Sequence, residues 1–476
     1  MSAHAEKKLG LPALTAMVVG SIIGAGIFSL PRTFGSSTGA LGALLAWLVA
    51  GTGMYALAHV FQSLARRKPD LDAGVFAYAK AGFGDYLGFL SAFGYWIGTC
   101  IGNVSYWVLI KSTLGAFFPV FGEGNTAIAI LAASAGIWLF HFMILRGIQQ
   151  AAFINSVVTL AKVVPIVAFI LIALFAFRLD VFRANLWGGE VVAGLSLFEQ
   201  VRLTMLVTVF VFLGIEGASV YSRHAKKRAH VGVATLLGFV AALCLMVLVS
   251  LLPYGVLPQG EIAGLRQPSM AGVLSAIVGP WGAVFVSIGL LISVLGAYLA
   301  WSLICAEVLF AAARNGDMPA VFARENANKV PAAALWLTNI VVQCFVISTY
   351  WSSDAFSLML SLTSSMSLIP YLLVAGFGVL VAQRRLAPFG NEGERRRELA
   401  VAAVAALYTA FMVYAGGIGY LLLSALLYAP GTFLYAWARR EQGQRLFTHT
   451  ERIVFAVAVM LAIAAVVGLV RGSITL

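Results

Sequence analysis

Thirteen apolar stretches, each close to the length of a bilayer crossing, leave this chain few folds to choose from. They run at about 11–31, 40–63, 86–118, 126–145, 153–177, 203–222, 231–257, 280–312, 332–351, 355–382, 398–416, 418–438 and 453–471. Roughly 20 apolar residues cross a bilayer as a helix. In lipid every backbone N–H and C=O needs an internal partner, so only helices and closed barrels span it. Continuous apolar runs without strict alternation select helices. The expectation is an all-α polytopic membrane protein of 12–13 spans. Charged residues make up 11% of the chain, against about 25% in soluble domains. The first run is too long for a cleavable signal and lacks a small-residue cleavage site.

The net charge of +12 would suggest nucleic acid on a soluble protein. Here the basic residues concentrate in alternate loops, which reads as orientation in a bilayer and not as nucleic-acid binding. With the N-terminus in the cytoplasm, 23 Lys/Arg fall inside and seven outside (Arg32, Lys111, Arg178, Arg183, Arg202, Arg266 and Arg471), leaving Lys162 within a span. This predicts a multi-pass plasma (inner) membrane protein with residues 1–10 cytoplasmic and, with thirteen spans, an outward C-terminus. The loops 66–85 and 314–331 mix basic, aromatic and small residues. They read either as equivalent gates with short interfacial helices or as ordinary amphipathic linkers. Cys100, Cys244, Cys305 and Cys344 lie far apart inside apolar runs and read as buried free thiols, with no disulfide or metal site. His59 and His141 read as structural.

Two spans are interrupted. The first carries Gly20, Gly24 and Gly26, and the sixth carries Gly214 and Gly217 around Glu216. A glycine costs a helix about 1 kcal/mol relative to alanine. Small residues spaced as Gly20/Gly24 are also common packing seams. The two breaks are five spans apart, and an odd offset gives the two units opposite topology. Paired Gly-interrupted spans in inverted halves point to a transporter's midplane site. Half-helix N-termini offer N–H groups and partial positive charge to a carboxylate, and unwound carbonyls accept from an ammonium. The predicted organisation is a first inverted repeat over 11–177, a second over 203–382, and C-terminal helices over 383–476. An ionisable group inside a span is a functional candidate by default. Glu216 is either a titrating or substrate-reading group or a brace for freed N–H groups. Lys162, about 13 Å into the fifth span at 1.5 Å per residue, is too deep to snorkel easily.

The segments GSIIGAGIFSLP, AGVFAYAKAGFG, FLGIEGAS and AAARNGDMPAVFA, in that order, resemble the amino acid–polyamine–organocation superfamily. Within it the chain is most similar to the basic amino acid/polyamine antiporters: arginine–ornithine and arginine–agmatine exchangers and lysine permeases. The resemblance runs from residue 10 to about 385. It implies two inverted five-helix repeats with the first and sixth helices unwound. It implies that Gly24, Ala25 and Gly26 take the substrate carboxylate on backbone N–H groups, and that the carbonyls of Ile23, Phe210 and Leu213 take the α-amino group. Family members often carry serine at the middle position, so Ala25 removes a hydroxyl. By resemblance Lys162 supplies the cation that sodium supplies in related symporters. Asn103 matches a residue facing the substrate guanidinium, Gly98 and Thr99 match the neighbouring pair, and Trp301 matches an aromatic stacked on the substrate, a cation–π contact of roughly 0.5–2 kcal/mol. Trp96, Tyr106 and Ser364 are further candidates, with Phe210 and Phe212 as gates, Glu216 also as a coupling group, and Glu307 as a relay or a salt-bridge partner.

No Walker A, HExxH or nucleophile-elbow pattern is visible, nor a channel filter. The expectation is a transporter and not an enzyme, without cofactor or metal. Its partners are amino acid or amine substrates and the lipid bilayer, and family members occur as monomers or homodimers. Exchange of cationic amino acids leads; proton symport of neutral or broad-range amino acids is the alternative.

Overall fold

The computed structural model describes residues 11–71, 75–147, 152–216 and 229–474. Within them the chain forms α1 (Leu11–Ile22), α2 (Leu30–Gly35), α3 (Ala40–Arg67), α4 (Val75–Phe83), α5 (Asp85–Phe117), α6 (Ala127–Leu145), α7 (Ala152–Phe175), α8 (Leu179–Ala184) and α9 (Leu197–Phe212). There follow α10 (Ala229–Leu251), α11 (Gln259–Gly264), α12 (Ser269–Val278), α13 (Pro280–Arg314), α14 (Ala332–Ser348), α15 (Ala355–Gln383), α16 (Glu392–Ala415), α17 (Gly417–Glu441) and α18 (His449–Val470). Nine of these are long and apolar enough to cross a membrane, α18 among them. The all-α polytopic class predicted from the apolar runs is the fold observed.

The axis of the molecule is α5. Of its most apolar stretch 89% is buried inside the protein, against 11% for α18. It packs against α13, α15, α14 and α4, and α15 packs against α16. Glycines set several of these approaches. A Cβ on Gly289 would sit 2.3 Å from Pro165, and one on Gly296 would sit 2.1 Å from Val158. Small residues let membrane helices close without hydrophobic driving force, and this seam brings α13 onto α7.

On one face of the bundle a polar cap satisfies the backbone groups that helix ends leave open. Gln259 Nε2 donates to the carbonyls of Gly35 (3.0 Å) and Thr38 (3.1 Å), Tyr254 Oη donates to Thr38 O (2.6 Å), and Asn185 Nδ2 donates to Tyr254 O (2.7 Å). On the opposite face α4 forms within the loop 66–85, while the loop 314–331 holds a 3₁₀ turn at Ala320–Ala323. Residues 72–74 of the first loop lie outside the described residues.

Three expectations are corrected. The two loops do not occupy corresponding places: one precedes α5 and the other follows α13. They meet instead, through Lys80 Nζ and Asp317 Oδ1 at 2.7 Å. Burial pushes the Asp317 carboxyl up, and Lys80 pulls it back. Lys111 is not a loop residue; it lies within α5, 1% exposed, and donates to Thr349 Oγ1 at 2.8 Å. All four cysteines are free, but only Cys100 and Cys305 are buried; Cys244 and Cys344 are exposed on α10 and α14. His141 is fully buried against Asn339, with Nδ1 and Nδ2 3.0 Å apart.

Candidate functional site

α1 carries Gly20 and stops just before Gly24. The last helical bond runs from Ile23 N to Val19 O (2.9 Å). Gly24 is extended (φ −99°, ψ −167°), a 3₁₀ turn covers Ala25–Ser29, and α2 resumes with Pro31 in its first turn. Ser29 Oγ donates to Gly26 O at 2.6 Å. The second break follows α9: Leu213 leaves helical geometry (φ −56°, ψ 134°) and Gly214 takes φ +101°, a region that favours glycine. Gly217 and the residues through Arg228 lie outside the described residues.

The two breaks face one another. A Cβ on Gly26 would lie 2.8 Å from the Phe210 ring and 3.0 Å from Val211 Cγ1. One on Gly214 would lie 2.5 Å from the Ser21 carbonyl oxygen and 3.6 Å from the Trp301 ring. One on Gly24 would have the Tyr106 hydroxyl 3.8 Å away. Four elements therefore converge: the α1–α2 break, the end of α9, α5 and α13.

Each break is met by an ionisable side chain. Gly20 O would accept from Gly24 N in a continuous helix; it accepts instead from Lys162 Nζ on α7, at 3.1 Å, and Lys162 is 7% exposed. Glu216 stands on the other break. Its Oε2 accepts from Gly214 N (3.2 Å) and Tyr371 Oη (2.8 Å), and its Oε1 accepts from Tyr95 Oη. A hydrogen bond to a charged group contributes roughly 1.5–3 kcal/mol. Both side chains thus stand in for helix bonds the glycines remove, and the Glu216 set joins α9 to α5 and α15.

The amino acid permease family model matches residues 9–418. The chain belongs to the amino acid permease family. It is 53% identical to an arginine/ornithine antiporter of Pseudomonas aeruginosa, with 100% of both chains covered. It is 42% identical to an L-lysine transport protein of Corynebacterium glutamicum, over 100% of this chain and 98% of that one. An arginine/agmatine antiporter of Chlamydia caviae is 41% identical, over 97% and 96%.

In the permease, Ile23, Gly24, Ala25, Gly26, Phe210, Leu213, Glu216, Tyr106, Trp301 and Lys162 gather at or beside the breaks. The Phe210 carbonyl accepts from Leu213 N at 3.3 Å. Asn103 is 1% exposed, one helical turn from Tyr106. Its Nδ2 donates to Cys305 Sγ (3.5 Å), and its buried Oδ1 has no hydrogen-bond partner among the described residues.

Other candidates point into packing. Gly98 abuts Ser367 and Met366 of α15, with 3.2 Å to each from its built Cβ. Thr99 Oγ1 bonds the carbonyls of Tyr95 and Trp96. Trp96 Nε1 donates to Thr338 Oγ1 (3.0 Å). Ser364 Oγ is committed to Leu206 O (2.7 Å) and Leu360 O (2.9 Å). Phe212 stacks on Phe239 in the core, at 5.3 Å between centroids. Glu307 is exposed and forms no ion pair among the described residues. Ser364→Ala is expected to lower stability by about 1 kcal/mol, the net worth of one hydrogen bond, which thermal unfolding of the purified permease checks.

Tyr95 and Tyr371, the donors to Glu216, were not among the sequence candidates. Their signal is one hydroxyl among several on the same helix, with nothing local to single it out.

Proposed function

We propose that this permease exchanges cationic amino acids, among arginine, lysine, ornithine or their amines, across the plasma membrane by alternating access. It adopts the two inverted repeats over 11–177 and 203–382, with the N-terminus cytoplasmic. The observation that carries the reading is the pair of facing helix breaks beside an α5 face that holds Tyr106 and Asn103, whose Oδ1 has no partner among the described residues. Backbone N–H groups at Gly24–Gly26 receive the α-carboxylate, and carbonyls at Ile23 and Leu213 receive the α-ammonium. Asn103 Oδ1 accepts from the cationic end of the side chain, over which Trp301 stacks. Lys162 supplies a fixed cation next to the first break, so no sodium ion is needed there. The names of the relatives support the substrate class.

Binding competition tests this. Labelled arginine on the purified permease is displaced by lysine and ornithine and not by leucine; equal displacement by leucine contradicts the reading. Asn103→Leu removes a hydrogen bond to charge and weakens arginine binding by about 10- to 100-fold, measured by the same displacement. Glu216 as a brace predicts that Glu216→Gln retains exchange within about three-fold, since an amide still accepts from Gly214 N; a collapse of exchange assigns it a protonation role.

A further inference from the structure

The amino acid permease match ends at residue 418, yet the chain beyond it reaches back to the helices that carry the site. Arg439 Nη1, at the end of α17, donates to Asp85 Oδ2 (2.9 Å). Gln442 Nε2 donates to Gly316 O (2.7 Å), and Ala320 N donates to Glu441 Oε2 (2.8 Å). In the first turn of α18, Glu451 is 8% exposed and its Oε1 accepts from Tyr86 N (2.9 Å). That carboxylate caps α5 from outside, where a helix N-terminus favours negative charge. Lys80 closes the ring, with Nζ 2.7 Å from Asp317 and 3.7 Å from Asp85. Every contact falls on the first residues of α5 or on the turn that follows α13. These are the helices that hold Tyr106 and Asn103 on one side and Trp301 on the other.

We propose that the C-terminal helix pair is a positioning brace for transport. Arg439, Glu441, Gln442 and Glu451 fix the neighbouring ends of α5 and α13 to each other and so keep the side-chain half of the substrate site in register. The brace stays closed through the transport cycle. This rests on the site assignment proposed above.

The contacts are polar and local, so they are open to substitution at an exposed edge. In the R439A/E441A/Q442A variant, arginine affinity falls about ten-fold, equivalent to about 1.4 kcal/mol. The exchange rate into ornithine-loaded liposomes falls with it. R439K/E441Q keeps a donor and an acceptor at the same places and stays within about three-fold of the parent. In a C244A/C344A background, A320C and E441C joined by a short bis-maleimide cross-linker leave exchange intact. Size-exclusion profiles and thermal unfolding report whether each variant is folded. The brace is overturned if the triple variant binds and exchanges like the parent, if the conservative variant is as impaired as the triple one, or if cross-linking stops exchange. A triple variant that does not fold leaves the decision to the conservative and cross-linked proteins. Failure of the parent itself to bind arginine overturns the substrate reading and not the brace, whose stability effect remains measurable.

Discussion

Alanine at position 214 is expected to abolish exchange, with a loss of at least about 100-fold, or roughly 2.8 kcal/mol. Two costs combine there. The backbone sits at φ +101°, which glycine adopts freely; a Cβ in the left-handed region costs roughly 1–2 kcal/mol. The new methyl would also lie 2.5 Å from the Ser21 carbonyl, a backbone atom of the facing break, and not from the yielding end of a side chain. One break therefore has to move away from the other, and the site opens. Gly194 supplies the control. It also has positive φ, +82°, but nothing lies within 4 Å of its built Cβ. Gly194→Ala bears only the backbone cost and keeps most of the exchange rate. Initial rates of labelled arginine uptake into ornithine-loaded liposomes, at matched protein incorporation, compare the two. Equal effects at 194 and 214 would mean that the approach of the breaks is not what matters.

Lys162→Ala carries the second large effect, a loss of about 100-fold in exchange. The substitution leaves Gly20 O at the end of α1 without its donor and removes the buried cation beside the break. An unsatisfied buried polar group alone costs about 1–3 kcal/mol. On the proposed reading the lost charge adds to that, because it stands beside the break that receives the substrate carboxylate. Lys162→Arg keeps the charge but not the point geometry of an ammonium, and it falls between parent and alanine. The same liposome assay with and without sodium checks this; full activity of Lys162→Ala with unchanged ion dependence contradicts the assignment.

Much of this architecture was legible because bilayer physics is strict. Apolar length predicted the helices, and glycines inside apolar runs marked both breaks. Lys162 stood out because a lysine ten residues into a span has few uses. What stayed hidden depends on register between spans. Ser364 lies on an apolar helix like many site serines, and nothing local says that its hydroxyl turns to Leu206 O. The Tyr95 and Tyr371 hydroxyls reach Glu216 from helices 121 and 155 residues away in sequence. Cys244 and Cys344 read as buried because lipid-facing and protein-facing sides of a membrane helix are equally apolar, so periodicity carries little information. Lys111 read as an outside charge because its buried partner, Thr349, lies at the C-terminal end of α14, beyond any local pattern. The brace on α17 and α18 was hidden for the same reason: Arg439 looks like any basic residue at a helix end.

Exchange itself is tested most directly by counterflow. Purified permease is reconstituted into liposomes loaded with ornithine, lysine, agmatine or nothing, and labelled arginine uptake is followed with and without a proton gradient. The account predicts rapid uptake into vesicles loaded with a cationic amino acid, little into empty ones, and no requirement for sodium. Uptake into empty vesicles driven by the proton gradient would contradict it.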